Sequence, residues 1–302
     1  MQLLKLLTLL LSVTIITSGC DTKDYEQKGI PEYIAEVMQW HQKRIERLKK
    51  ENGWLNLVGL YWLEEGENSF GSSEANDILF PEGSPPIIGN IILEDSVVVF
   101  KSADKVNVTI DGQVVSESVL KEDLTGEPTI LKLGSLRWFI IKRDKRYGIR
   151  LRDLESSLVK EFEGIERFVV NDEWRIEAKF EAYNPPKLIL IPTILGTVNE
   201  EASPGKVLFK VNGIIHKLDA IDAGNKLWFI FADETSGEET YGAGRYLYAD
   251  KPDSNGNMII DFNYAYNPPC VFTKFATCPF PPKQNFLKLR ITAGEKTWGE
   301  KH

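Results

Sequence analysis

The chain has 302 residues, 42% of them hydrophobic and 26% charged, with 36 Lys and Arg against 44 Asp and Glu. That composition excludes global disorder and supplies enough apolar material to bury a core in one large β domain or two smaller ones. The acidic balance, with no basic run beyond Lys43 to Lys50, argues against a phosphate-backbone partner, and no nucleic acid is expected.

The N-terminus reads MQLLKLLTLLLSVTIITSGC. Lys5 precedes an apolar run from Leu6 to Ile16 that is too short for a permanent bilayer span, the pattern of a secretory signal. Ser18-Gly19-Cys20 resembles the bacterial lipobox, in which the cysteine becomes the lipidated first residue; a cleaved signal without lipid is the alternative. Residues 1–19 are thus expected to be a lipoprotein signal peptide, residues 20–30 a tether and residues 31–296 a β-rich domain. A lipid on Cys20, palmitate among its acyl chains, would anchor the protein to a membrane of the bacterial cell envelope, at the periplasmic or surface face. Cleavage removes Lys5 and no acid, leaving 35 basic residues against 44 acidic ones, a net charge of −9.

Pro31 suits the first turn of a helix, and Ile34, Val37, His41, Ile45 and Leu48 recur at helical steps up to the stop at Asn52-Gly53. His41 lies on this apolar stripe and is read as a packing residue. From Trp54 onward the pattern turns to short alternating runs. Trp54 to Leu63 is β-like, with Gly59 marking a bulge. Asp111-Gly112 and Asn212-Gly213 are two-residue hairpin signals, and Lys142 to Arg146 makes a third turn. Trp174, Ile176, Ala178 and Phe180 share one face of a strand. Many short strands and one helix predict an all-β antiparallel sandwich or barrel with one N-terminal amphipathic helix. A composition break at Tyr183-Asn184-Pro185-Pro186 leaves room for two subdomains meeting near 183–205.

The stretch from Phe229 to Glu295 holds most of the chemistry. Asp233 opens a turn-forming cluster, and Gly242 and Gly244 precede Arg245 and a strand from Tyr246 to Tyr248; a phosphate cradle would instead open a helix. Alternation in Met258 to Asn263 aims Asp261 and Asn263 to one side, and Asn255-Gly256 is read as a hairpin back to the Arg245 strand. Prolines make Tyr266 to Lys283 an ordered, non-helical strap. Cys270 and Cys278 lie eight positions apart on it, and in an exported chain a disulfide between them is expected. No metal is expected, because no second Cys/His pair accompanies them; His216 reads as packed, and His302 is terminal. No cofactor is indicated.

These residues carry a resemblance. DETSGEETYGAGRYL (Asp233 to Leu247), DFNYAYNPPC (Asp261 to Cys270), CPFPPKQN (Cys278 to Asn285) and AGE (Ala293 to Glu295), with weaker likeness in GWLNLVGLYWL (Gly53 to Leu63), resemble a bacterial and archaeal family of uncharacterised proteins, domain of unknown function 1684. The resemblance spans nearly the whole mature chain and implies no established activity.

From the residues themselves, a polar, aromatic-edged pocket for a small-molecule or glycan ligand is expected in the C-terminal third. Asp233, Tyr241, Arg245, Asp261, Asn263, Tyr266, Asn267 and Glu295 would line it, with Arg245 taking an anionic or carbonyl group and the tyrosines offering flat surfaces. Three alternatives stand beside that reading: a hydrolase using Asp233, Asp261 or Glu295 as acid and base, an envelope scaffold protein, or Arg245 and Asp261 as an internal ion pair with the asparagines capping turns.

Overall fold

The computed structural model describes residues 25–299. The expected signal peptide and lipidation residue Cys20 lie outside the described residues. Pro31 occupies the first turn of helix α1 (Pro31–Lys49), whose buried side chains are Val37, His41 and Leu48. Gly53 ends it: a Cβ there would stand 2.1 Å from the Leu48 carbonyl oxygen, so the chain can fold back over the last turn only as glycine. No helix among the described residues is long and apolar enough to cross a membrane.

Eleven strands follow: β1 (Leu57–Trp62), β2 (Gly66–Gly71), β3 (Ile78–Leu79), β4 (Gly89–Glu94), β5 (Val97–Ser102), β6 (Thr109–Ile110), β7 (Gln113–Val114), β8 (Glu117–Leu120), β9 (Leu131–Leu133), β10 (Leu136–Arg143) and β11 (Arg146–Asp153). They form a six-stranded sheet of order β1-β11-β10-β9-β6-β7 and a five-stranded sheet of order β3-β2-β4-β5-β8. Both sheets feed one core, in which Phe70, Ile91 and Phe100 from one meet Trp138, Ile140 and Ile149 from the other. This is a sandwich, as alternation predicts. The register shift between Leu57 and Gly59 is the bulge expected there. Asp111 and Gly112 both take positive φ, which is why the sequence Asp-Gly turns β6 into β7.

After the short helix α2 (Ser157–Glu161) come β12 (Arg175–Pro192), β13 (Val198–Val211), β14 (Ile214–Asp219), β15 (Ile221–Ala223), β16 (Lys226–Phe231), β17 (Arg245–Asp250) and β18 (Asn257–Asp261). The sheets here are β14-β13-β12-β18 and β15-β16-β17. Their shared core holds Val207, Phe209, Phe229, Phe231, Leu247, Ile260 and Phe262, with Trp174, Ile176, Ala178 and Phe180 packed against it. A third cluster, Leu48, Leu55, Phe162, Ile165 and Phe272, joins α1 and the strap to the α2 region. The architecture is all-β, with strand pairing antiparallel except between β2 and β3.

Two expectations are corrected. The proposed division near 183–205 falls inside the longest hairpin, β12 with β13, where Asn184-Pro185-Pro186 only breaks the ladder between Ala182 and Lys187 because proline has no N–H to donate. The two main cores instead separate between Leu151 and Trp174. Asn255-Gly256 does not return the chain to β17: β18 pairs with β12, Arg175 opposite Asp261.

Candidate functional site

Arg245 begins β17 with a side chain of 0% exposure, and its partner Asp233, just past β16, is equally sealed. The guanidinium donates to Asp233 Oδ2 at 2.7 Å and to the Ile291 carbonyl at 3.1 Å, and also to the Ala293 carbonyl. The other carboxylate oxygen of Asp233 accepts from the Thr235 N–H at 2.8 Å, the Thr235 hydroxyl at 2.6 Å and the Ile291 N–H at 3.2 Å. Every strong acceptor on Asp233 is occupied from within. Arg245 therefore clamps the 291–295 segment to the sheet and reaches no ligand. The internal ion pair exists, with Asp233 rather than Asp261 as its acid.

Glu295 is held the same way. Its carboxylate, 1% exposed, takes the Arg44 Nε–H at 2.5 Å and the Asn267 N–H at 2.7 Å, so one residue ties α1 to the strap and to the C-terminal segment. Gly294, at φ +79° and with no room for a Cβ beside the Ala265 carbonyl, makes that approach of backbone to backbone feasible. Asn267, fully buried, donates its side-chain amide to the Lys296 carbonyl at 2.7 Å. His41 packs below the pair, its Nε2 3.0 Å from the Ile165 carbonyl, and burial lowers its pKa despite the neighbouring Glu295.

Asn263 does not continue β18. The strand ends at Asp261, and Phe262 to Tyr264 form a 3-10 turn that Asp261 caps by accepting the Asn263 N–H at 3.0 Å. Asn263, fully buried, spends its amide on Asp261, Tyr33 and the Asn171 carbonyl. Asp261 itself stays at a surface, with its Oδ2 accepting the Tyr33 hydroxyl at 2.7 Å and Arg175 3.9 Å away. Burial raises its pKa, against the lowering effect of those hydrogen bonds.

Cys270 and Cys278 are both free thiols, which corrects the expected disulfide. The strap does bring them together: Cys278 Sγ accepts the Cys270 N–H at 3.1 Å. Tyr241 lies against Cys270 and takes no part in the groove described next.

One hollow of about 1040 Å³ opens between α1 and the edge where β17 and β18 adjoin. Aromatic rings wall it: Tyr33 and Trp40 from the helix, Tyr248 from β17, Tyr264 and Tyr266 from the turn after β18. Tyr248 and Tyr266 stack at 6.1 Å and 15°, and Trp40 meets Tyr264 edge-on at 5.1 Å. Carboxylates Glu36, Asp172, Asp250 and Asp261 and the cations Lys43, Arg175 and Lys226 stand among the rings. Burial pushes the Tyr264 hydroxyl up to about 12, with Glu36 adding to the shift, so that ring remains a neutral donor. Among the described residues, no group of three or more His, Cys, Asp or Glu could hold a metal ion.

Of the eight residues expected around one pocket, only Asp261 and Tyr266 line this groove. Asp233, Arg245, Asn263, Asn267 and Glu295 are buried framework. Of the three acids named for the hydrolase alternative, Asp233 and Glu295 are sealed against arginines, and Asp261 alone lines the groove. The helix contribution was missed, although Tyr33, Glu36, Trp40 and Lys43 follow helical spacing beside the apolar stripe, so two aromatics off the core-facing side were the available signal.

Residues 160–296 match the family model described as "Protein of unknown function (DUF1684)". The match supports the resemblance carried by the four C-terminal motifs and excludes the segment Gly53 to Leu63. No curated protein matches the chain. Among solved structures, the chain is similar to an uncharacterised protein of Haloarcula marismortui determined by solution NMR, at 29% identity over 46% of this chain and 78% of that one, with a TM-score of 0.39. It is also similar to the FhaA FHA domain, at 17% identity over 31% of this chain and 97% of that one, TM-score 0.22. A further likeness, at 18% identity over 31% of this chain and 92% of that one, TM-score 0.22, is to a structure from work on phosphothreonine-dependent FHA domain interactions. At these TM-scores the structural likenesses carry no argument about architecture or activity.

Proposed function

We infer that this protein is an envelope lipoprotein, anchored through Cys20, that binds a glycan in the groove between α1 and the β17 and β18 edge. The anchoring rests on the N-terminal apolar run and its lipobox-like end. The ligand class rests on one observation: five aromatic side chains and the Asp261 carboxylate line the same 1040 Å³ hollow. Flat ring faces take the C–H faces of a sugar, and carboxylates accept its hydroxyls in charge-assisted hydrogen bonds. A hollow of that volume is large enough for more than one sugar ring. The groove has more carboxylates than cations, which disfavours an anionic ligand and leaves Arg245 with no role in recognition.

The test is a panel of defined neutral and amino-sugar oligosaccharides followed by thermal shift and calorimetry. A binder is expected, and Tyr248→Ala and Asp261→Asn should each weaken it about tenfold or more, the scale of losing a stacked ring or a charged hydrogen bond. Tyr248 is 45% exposed, so its removal should leave the unliganded melting temperature unchanged. A panel without any binder, or a binder indifferent to both substitutions, overturns the reading.

The scaffold alternative has one observation in its favour. Leu188, Leu190 and Val198 are 63%, 58% and 57% exposed on one side of the β12 and β13 hairpin, while Ile189 and Ile191 are buried on the other. Equilibrium sedimentation of the same preparation distinguishes the two, because an assembly protein self-associates or pairs through that face whether or not a glycan is present.

A further inference from the structure

The strap carries a second site, independent of the groove. Cys270 is half-buried at the start of the strap, and Cys278 is 3% exposed near its end. Both are held from several directions. The Cys278 carbonyl accepts the Ile194 N–H at 3.0 Å, Phe280 donates to the Pro192 carbonyl at 2.7 Å, and Tyr246 donates its hydroxyl to the Pro279 carbonyl at 2.7 Å. The thiols are thus fixed as neighbours by backbone bonds and prolines rather than by a covalent bridge.

Exposure assigns their roles: Cys270 is half-buried and can be reached, whereas Cys278 is sealed beneath the strap. The neighbouring Cys278 and Tyr241 side chains lower the Cys270 pKa against burial. The neighbouring Cys270 and burial push the Cys278 thiol up. Across the strap lies Arg150, 4% exposed, with an Nε that has no partner. Among the described residues it makes no ion pair with a carboxylate; its guanidinium donates at 3.3 Å to the hydroxyl of Thr277, the residue before Cys278. A buried arginine without an acid is costly unless negative charge develops beside it. The titratable and charged groups around the pair are Tyr241, Tyr246 and Arg150, together with Arg143, which donates to the same Thr277 hydroxyl at 3.1 Å and is paired with Asp123.

We propose that Cys270 and Cys278 form a thiol–disulfide exchange site, with Cys270 attacking and Cys278 resolving, that accepts oxidising equivalents from a small or protein-borne disulfide. Cys270 thiolate attacks one sulfur of the incoming disulfide and expels the other half as a thiolate. Cys278 then gives its proton to that leaving thiolate, and its sulfur attacks Cys270 sulfur and releases the second half as a thiolate, which takes back from water the proton that Cys270 had given up. One disulfide forms in the protein, and the oxidant's disulfide becomes two thiols. Arg150 and Tyr241 act on the sulfurs and are positioning residues.

The test uses the full chain carrying Cys20→Ser, so that the pair are the sole cysteines of the three in the sequence. Mass-mapped alkylation across pH should show Cys270 reacting at least about tenfold faster than Cys278 at neutral pH, with a midpoint below the ordinary thiol value of about 8.5. Oxidised glutathione should convert the protein to an intramolecular disulfide without lasting adduct. Cys278→Ser should instead accumulate one glutathione on Cys270, and Cys270→Ser should react about tenfold more slowly. Tyr241→Phe, which keeps the ring and removes only the donor, should move the Cys270 midpoint upward. Equal reactivity of the two cysteines, an ordinary or raised Cys270 midpoint, or no intramolecular disulfide at equilibrium with oxidised glutathione overturns the proposal. If the serine variants fail to fold, the pH profile and glutathione reaction of the Cys20→Ser chain still decide.

Discussion

Arg245 and Asp233 look, in the sequence, like a recognition pair, and their worth is decided by what surrounds them. A fully desolvated ion pair is held by the sum of its hydrogen bonds, and removing one partner strands the other charge in an apolar medium. Arg245→Met should therefore cost about 3–5 kcal/mol in urea denaturation, since Asp233 is left unpaired beside Phe231 and Ile291. The double variant Arg245→Met with Asp233→Leu should recover a large part of that loss, because no buried charge remains. A single variant as stable as the parent would mean that the pair is solvated and the site open. The residue types were legible in advance, but the pairing was not. Asp233 and Arg245 stand 12 positions apart and Asn267 and Glu295 stand 28 apart, separations that say nothing about contact until the chain is folded.

Helix α1 shows which parts of an element are visible locally. Its apolar stripe and glycine stop are short-range patterns, as are the Asp111-Gly112 and Asn212-Gly213 turns, and all of them formed where the sequence places them. The pairing of β18 with β12 was not visible, because a partner strand some 80 positions upstream leaves no local trace. What the helix docks against was equally hidden. It is fixed at its middle by His41 on the Ile165 carbonyl and by Arg44 on Glu295. Burial holds His41 neutral in the folded state, whereas the unfolded chain takes up a proton near the ordinary value of 6.5. Below that pH the unfolded state binds more protons, so this contribution to stability is present above 6.5 and is lost as the pH falls toward the depressed folded value. His41→Gln keeps a donor for Ile165 and removes the titration. The difference between wild-type and variant unfolding free energies should change with pH below 6.5, by at most about 1.4 kcal/mol per pH unit, and be flat above it. A difference that is flat from pH 5 to 8 would show that His41 titrates alike in both states.

The molecule as a whole places its groove across a boundary that no single segment contains. Residues 160–296, which match the family model, supply β12 to β18 and the strap, whereas Tyr33, Trp40 and Lys43 come from α1. The helix is also part of the core. Leu48 packs with Leu55, Phe162, Ile165 and Phe272, and Arg44 neutralises a Glu295 carboxylate that is 1% exposed. A chain beginning at Glu51 would uncover that cluster and leave Glu295 buried without its cation. Each of these losses is worth a few kcal/mol, against a total stability of about 5–15 kcal/mol for an ordinary domain. A chain beginning at Tyr25 should therefore melt in one cooperative transition, and one beginning at Glu51 should lose that transition and bind a hydrophobic dye. If the shorter chain keeps the same melting temperature, α1 is an appendage, and the groove is a cleft between a finished domain and a loosely attached helix rather than a feature built into the fold.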